Sequence, residues 1–101
     1  MSLQAKILSL LSGITDPAIR IDVASTINYL FDVYSNRNAD ENEIRDALFE
    51  ICLTIISAKH PELTMDECKS KAQILVDEII KSFRVESIKR RIGTRFRRLL
   101  F

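Results

Sequence analysis

Helix-breaking residues are scarce in this chain. Its 101 residues include two glycines and two prolines, while 47% of the residues are apolar and 29% are charged. Tight turns between strands rely on glycine and proline, so a chain with so few of them is expected to form a few long helices. The length suits one domain with a single core. The sequence therefore predicts an all-α fold, a compact bundle of four helices plus a basic amphipathic C-terminal helix.

Two helices are predicted in the first third of the chain, where apolar residues recur at spacings of three and four. The first helix contains Leu3 and is expected to end at Gly13. The second follows Asp16 and Pro17, which are typical of an N-cap and of the first helical position. The polar residues 36–38 lack the apolar period and are expected to end this second helix.

Two further helices are predicted from capping-box spacings, in which a short polar residue is followed three positions later by Glu. Asp40 and Glu43 begin the third helix, and Thr64 and Glu67 begin the fourth. Pro61 separates them, because the residue before a proline disfavours the helical conformation. The apolar stripe of the fourth helix runs from Met65 to Phe83.

A fifth apolar stripe lies in the C-terminal segment, residues 84–101. At 100° per residue, this stripe points about half a turn away from the stripe of the preceding helix. Either the chain bends near residues 84–87 and packs the segment on its own core, or the helix continues straight and packs against another molecule. The sequence leaves both alternatives open. The residues expected at a partner interface are Ile88, Ile92, Phe96 and Leu99.

The C-terminal segment is also strongly basic. Residues 84–101 hold seven basic residues and one acidic residue, a net charge of +6, whereas residues 1–83 hold eight basic and thirteen acidic residues, a net charge of −5. Six of the seven basic residues are arginines, whose planar guanidinium suits bidentate contacts with phosphate. We therefore expect an acidic helical core over residues 1–83 and a basic helix over residues 84–101, in the same domain or as a dimer arm. The candidate nucleic-acid-binding residues are Lys89, Arg90, Arg91, Arg95, Arg97 and Arg98.

Any nucleic-acid binding is expected to be to the backbone, without sequence specificity. Base-specific contacts use side chains such as Asn and Gln, and residues 84–101 contain neither. DNA and RNA are not distinguished by this argument. Two other interpretations of the same charges stay open: a solvated helix face beside the acidic helices of its own chain, or attraction to the acidic face of another copy.

The sequence contains no recognisable catalytic or metal-binding pattern. It has no Gly-rich phosphate loop or nucleophile motif, and His60 is its one histidine. Cys52 and Cys68 lack the paired spacing of zinc ligands and are expected to be buried thiols. We expect no enzymatic activity, no cofactor and no metal site.

Membrane association is also disfavoured. No stretch of about 18 apolar residues is present, and the apolar face of the C-terminal helix is short for a lipid anchor. The lack of a disulfide framework predicts a cytoplasmic location. The predicted function is that of a small accessory or assembly subunit that contacts nucleic-acid backbone through its C-terminal helix. The alternative is a protein–protein interaction module, a homodimer or an adaptor, whose C-terminal helix docks on a partner chain.

Overall fold

The structure, a computed structural model, contains four α-helices and no strand in the part of the chain that it describes. That part comprises the backbone of residues 2–36 and 39–100 and the side chains of residues 2–35 and 39–90. The prediction of an all-α bundle of four helices is confirmed. The helices are α1 (Leu3–Leu11), α2 (Pro17–Asn36), α3 (Glu41–Lys59) and α4 (Met65–Leu100).

Short polar side chains cap the helices at the predicted positions. Asp16 and Asp40 each accept a hydrogen bond from the amide two residues further on, both at 2.9 Å. Thr64 Oγ1 accepts from the Glu67 amide at 3.2 Å, at the start of α4. Gly13 follows α1 with φ of 85°, a left-handed conformation that favours glycine. These local interactions satisfy amides that a helix leaves unpaired, and they explain why the helix boundaries follow the sequence.

The core forms where α4 contacts each of the other three helices. Phe83 of α4 lies in its centre, with its ring centroid 5.3 Å from that of Phe31 and 5.6 Å from that of Tyr34, both on α2. Burial of such large apolar side chains supplies most of the driving force for the packing of the bundle. The largest fully buried side chains are those of Phe83, Ile27, Leu48, Ile55, Ile79 and Ile80.

Helix α4 continues through residues 84–87, where the sequence left open a bend. It comprises 36 residues, for which a straight helix would measure about 54 Å at 1.5 Å per residue. The longest dimension of the molecule is also 54 Å. The backbone of the C-terminal segment therefore continues the fourth helix, and its described apolar side chains, Val85 and Ile88, are exposed.

A membrane-spanning helix would need a long run of apolar residues. None of the helices in the described part of the chain combines the length and the apolar character required to cross a membrane.

Candidate interaction surface on helix α4

The two faces of α4 differ sharply in burial. Ile79 and Phe83 are completely buried on the inner face. Ile74, Val85 and Ile88 are 62%, 48% and 54% exposed, and the 100° period of the helix places these three on the opposite side. We call this side the outer face of α4. Within the described part of the chain, it carries a line of apolar side chains that remain about half exposed or more.

Ile88 is the described member of the partner interface that the sequence predicted, and it lies on the outer face. Ile92, Phe96 and Leu99 follow it at spacings of four, four and three, which keeps these positions on the same side of the helix backbone. Their side chains lie outside those that the structure describes. Ile74 extends the line toward the N-terminal end of α4.

Two hydrogen bonds and one buried side chain hold residues 84–87 against the rest of the bundle. Arg84 Nη2 donates to Glu41 Oε1 of α3 at 2.9 Å. Glu86 Oε1 accepts a hydrogen bond from the Leu3 amide at 3.1 Å, at the N-terminus of α1. Ser87 is 6% exposed. The hydrogen bond with Glu41 raises the pKa of the Arg84 guanidinium, so this pair is charged throughout the range in which the carboxylate is ionised.

The side chain of Arg90 lies against α2. Its guanidinium carbon is 4.5 Å from the centroid of the Phe31 ring, an arrangement that attracts a cation to the electron-rich face of the ring. Its Nη1 atom is 3.7 Å from Asp32 Oδ1. Arg90 therefore contacts an aromatic ring and an acidic group of its own chain. This agrees with the interpretation in which the basic helix face lies beside the acidic helices of the same chain.

The structure separates the two candidate nucleic-acid-binding residues whose side chains it describes. Both side chains are exposed, but the position of Lys89 borders the outer face of α4. Arg90 lies 100° further round the helix, where it contacts the Phe31 ring of α2 while staying 55% exposed. Arg91, Arg95, Arg97 and Arg98 lie outside the described side chains, so the predicted cluster as a whole remains a prediction.

The N-terminal half of the outer face carries acidic side chains beside Ile74. Asp77 Oδ1 is 2.7 Å from Arg45 Nη1 of α3, and Glu78 Oε2 is 2.8 Å from Lys6 Nζ of α1. The side chains of Asp77 and Glu78 remain 61% and 49% exposed. Because a carboxylate accepts from several donors, both groups retain capacity for a further basic partner.

The two thiols are buried in the core, as predicted. Cys52 and Cys68 are both free, and burial, followed by the charge of Glu78, raises the pKa of Cys52 to about 12. A thiol held in its protonated form is a poor nucleophile and a poor metal ligand. Among the residues with described side chains, no group of three His, Cys, Asp or Glu residues could hold a metal ion.

Some features of this surface were not found from the sequence. Ile74 lies out of phase with the inner stripe, and a helical wheel of α4 would have placed it on the outer face. Glu86 is the one acidic residue of residues 84–101, and its isolation there is a signal that it has a specific partner. The neighbouring residues in the sequence do not show that this partner is the Leu3 amide. Met65, which the sequence assigned to the core stripe, is 61% exposed at the first position of α4.

Comparison of the chain with protein-family models, with curated proteins and with solved structures found no match.

Proposed function

We propose that this protein is a non-enzymatic protein-interaction module that docks on a partner chain through the outer face of α4. The observation that carries the proposal is the line of Ile74, Val85 and Ile88, each about half exposed or more, on a helix that continues to Leu100. An amphipathic helix presents such a line when its apolar residues bind a groove or another helix.

These three residues differ from other exposed apolar side chains because they lie on the same face of one helix. Leu8, Ile21 and Tyr29 are also exposed, but Leu8 belongs to α1 and the other two are separated on α2 by about 80° around the helix. Singly exposed apolar residues are common on protein surfaces and need no partner. Several on one helix face can be removed from water together by one partner, which favours association.

The basic charge of the same segment supports a second candidate function, binding to nucleic-acid backbone. Residues 84–101 carry a net charge of +6, and a concentration of arginine on a helix attracts phosphate groups irrespective of base sequence. Arg84 and Arg90 are already engaged by Glu41, Asp32 and the Phe31 ring. We therefore place this function second.

The proposed function can be tested by replacing one residue on the outer face of α4. Ile88→Asp introduces a charge at its centre, and Ile21→Asp is the matched control because Ile21 is 69% exposed on α2. The mass of the purified chain is measured by size exclusion with light scattering. In extract of the cells that produce it naturally, the apparent mass is read from its elution position, detected with an antibody to the chain.

We expect the wild type and Ile21→Asp to exceed the single-chain mass of 11.6 kDa in at least one of the two samples. Ile88→Asp should have the single-chain mass in both, with unchanged helical circular dichroism. A wild type of single-chain mass in both samples, or an Ile88→Asp chain that keeps the wild-type mass, would contradict the proposal.

A further inference from the structure

The outer face of α4 contains eight positions at alternating spacings of four and three, and five of the eight residues are apolar. Such spacing is the heptad pattern of helices that pair along their length. The series covers about 38 Å of helix, nearly four heptads, and the helix backbone places the positions of its last three members on this face. Its members are Ile74, Glu78, Lys81, Val85, Ile88, Ile92, Arg95 and Leu99.

The series is symmetric about its midpoint, between Glu86 and Ser87. If two copies of α4 pair antiparallel about a two-fold axis at that point, each residue faces the one equally far from the axis on the other copy. Val85 then faces Ile88, and Ile74 faces Leu99. These four apolar layers, two at the centre and one at each end, are the layers that such a helix pair buries most favourably.

The charged members of the series decide between the antiparallel and the parallel arrangement. In a parallel pair each residue meets its own equivalent, so Glu78, Lys81 and Arg95 would form three layers of like charge. In the antiparallel pair Glu78 faces Arg95, an attractive contact that occurs twice. Lys81 faces Ile92, where its aliphatic stem can cover the apolar side chain while its ammonium reaches water. Charge complementarity therefore favours the antiparallel arrangement.

Residues beside the apolar line add a second pair of opposite charges. Asp77 comes next to Arg98 of the second copy, and the Asp77 side chain is 61% exposed. Arg84 comes next to Arg91 of the second copy, a like-charge pair, but Arg84 is held at 2.9 Å by Glu41, whose negative charge offsets the repulsion. The part of each α4 that carries Asp77 and Glu78 thus lies along the basic segment of the other.

We propose that the partner of the outer face of α4 is a second copy of this chain, bound antiparallel with the two-fold axis between Glu86 and Ser87. This proposal rests on the proposed function, since it identifies the partner of the same surface. It also assigns a purpose to the opposite net charges of residues 1–83 and 84–101, because each basic segment lies along the acidic bundle of the other copy.

Cysteine cross-linking tests the register and direction of the pair. Ile74→Cys and Leu99→Cys are made as separate full-length chains, one of them with an affinity tag, and are oxidised mildly either alone or after mixing and re-equilibration. Cys52 and Cys68 are buried, so the new thiols are the accessible ones. We expect a disulfide between the two variants in the mixture and none in either variant alone, where the equivalent thiols lie about 38 Å apart.

A disulfide-linked dimer of either variant alone would overturn the antiparallel arrangement. A purified wild-type chain that stays at the single-chain mass at about 100 µM would overturn self-pairing. In that case, the proposed function would still be supported if Ile88→Asp lost an association that the wild type makes in cell extract. The partner would then be a different chain. The two proposals can therefore fail separately.

Charge reversal provides a second measurement that needs no cross-link. Arg95→Glu alone should raise the dimer dissociation constant at least about tenfold, because two attractive layers become repulsive. In the mixed dimer with Glu78→Arg both layers are attractive again, so the two variants should pair with each other in preference to either self-pair. Equal dissociation constants for all three dimers would rule out the Glu78–Arg95 contact.

Discussion

Arg20 shows how a single side chain completes the end of a helix. Its Nη1 atom donates to the carbonyl oxygens of Leu11 and Ile14 at 2.9 and 2.8 Å. The last carbonyls of α1 have no partner within the helix, and Gly13 turns the chain away immediately after it. A cation placed there also interacts favourably with the negative end of the helix dipole.

Replacing Arg20 should therefore cost more stability than replacing an arginine in a surface ion pair. We expect Arg20→Leu to lower the free energy of unfolding by about 1.5 to 3 kcal/mol, because two hydrogen bonds to a charged donor are lost. Arg45→Leu, which removes the ion pair with Asp77, should cost less than about 1 kcal/mol. Urea unfolding of both variants at equal protein concentration measures the difference, and equal losses would refute this role for Arg20.

Cys52 predicts a specific dependence of stability on pH. Its pKa is raised from 9.0 to about 12 by burial and by Glu78, so the folded state keeps the thiol proton at a pH where the unfolded chain has lost it. The stability that the folded state gains from keeping Cys52 protonated is fully present below pH 9.0 and is lost as the pH rises toward about 12. Between pH 8 and pH 10.5, the wild type should lose up to about 2 kcal/mol more than Cys52→Val, which has no ionisable group. Parallel losses in the two chains, measured by urea unfolding, would show that Cys52 does not titrate in this way.

At the scale of elements, α4 combines two parts with different roles. From Met65 to Phe83 its inner face completes the core of the bundle. The next residues still contact the bundle through Arg84, Glu86 and Arg90. The continuous helix therefore connects the core of the bundle to the segment that presents the proposed partner surface.

Two truncations separate these roles. Removing residues 91–101 leaves the contacts of Arg84, Glu86 and Ser87, so the free energy of unfolding of the monomer should change by less than about 1 kcal/mol. Removing residues 84–101 also deletes the hydrogen bond from the Leu3 amide to Glu86 and should cost about 2 kcal/mol or more. Both chains should still unfold cooperatively in urea at low protein concentration. A molten product after the shorter deletion would show that residues 91–101 belong to the core.

At the scale of the whole molecule, the chain is elongated and electrically asymmetric. Its radius of gyration is 15.1 Å, compared with about 13 Å for a typical domain of 100 residues. The long helix α4 accounts for the difference. Residues 84–101 carry a net charge of +6 and the remainder −5, which gives the molecule two ends of opposite sign.

The second candidate function makes its prediction at this scale. If the basic segment contacts about three phosphates of duplex DNA, log K should fall with log salt with a slope of roughly −3. Replacing Arg91, Arg97 and Arg98 together with Gln, which has a similar helix propensity, should remove most of the binding. Arg90→Gln should change it little, because Arg90 already contacts Phe31 and Asp32.

Fluorescence anisotropy with duplex DNA, single-stranded DNA and RNA measures this binding. No detectable binding of the wild type to any of the three in about 50 mM salt, where phosphate attraction is least screened, would eliminate the nucleic-acid function. The protein-interaction function would be unaffected by that result.

The presence of four helices over residues 1–83 and most of their boundaries were determined by the sequence itself. Asp16, Asp40 and Thr64 cap helices through amides two or three residues away, and Gly13 adopts its left-handed conformation beside the end of α1. Such interactions depend on immediate neighbours, so residue type and spacing predict them. The opposite directions of the two apolar stripes of α4 are likewise a property of the helical period alone.

The role of residues 84–90 was decided by the tertiary structure. Arg84, Glu86 and Arg90 find their partners in Glu41, Leu3 and Asp32, residues that are remote in the sequence and become neighbours when the bundle packs. The spacing of residues along a chain does not identify such pairs, and it therefore left open both a bend and a straight helix. Packing of Phe83 and Ser87 against the bundle keeps α4 continuous and turns Val85 and Ile88 outward, because a rigid helix cannot present both of its faces to one core.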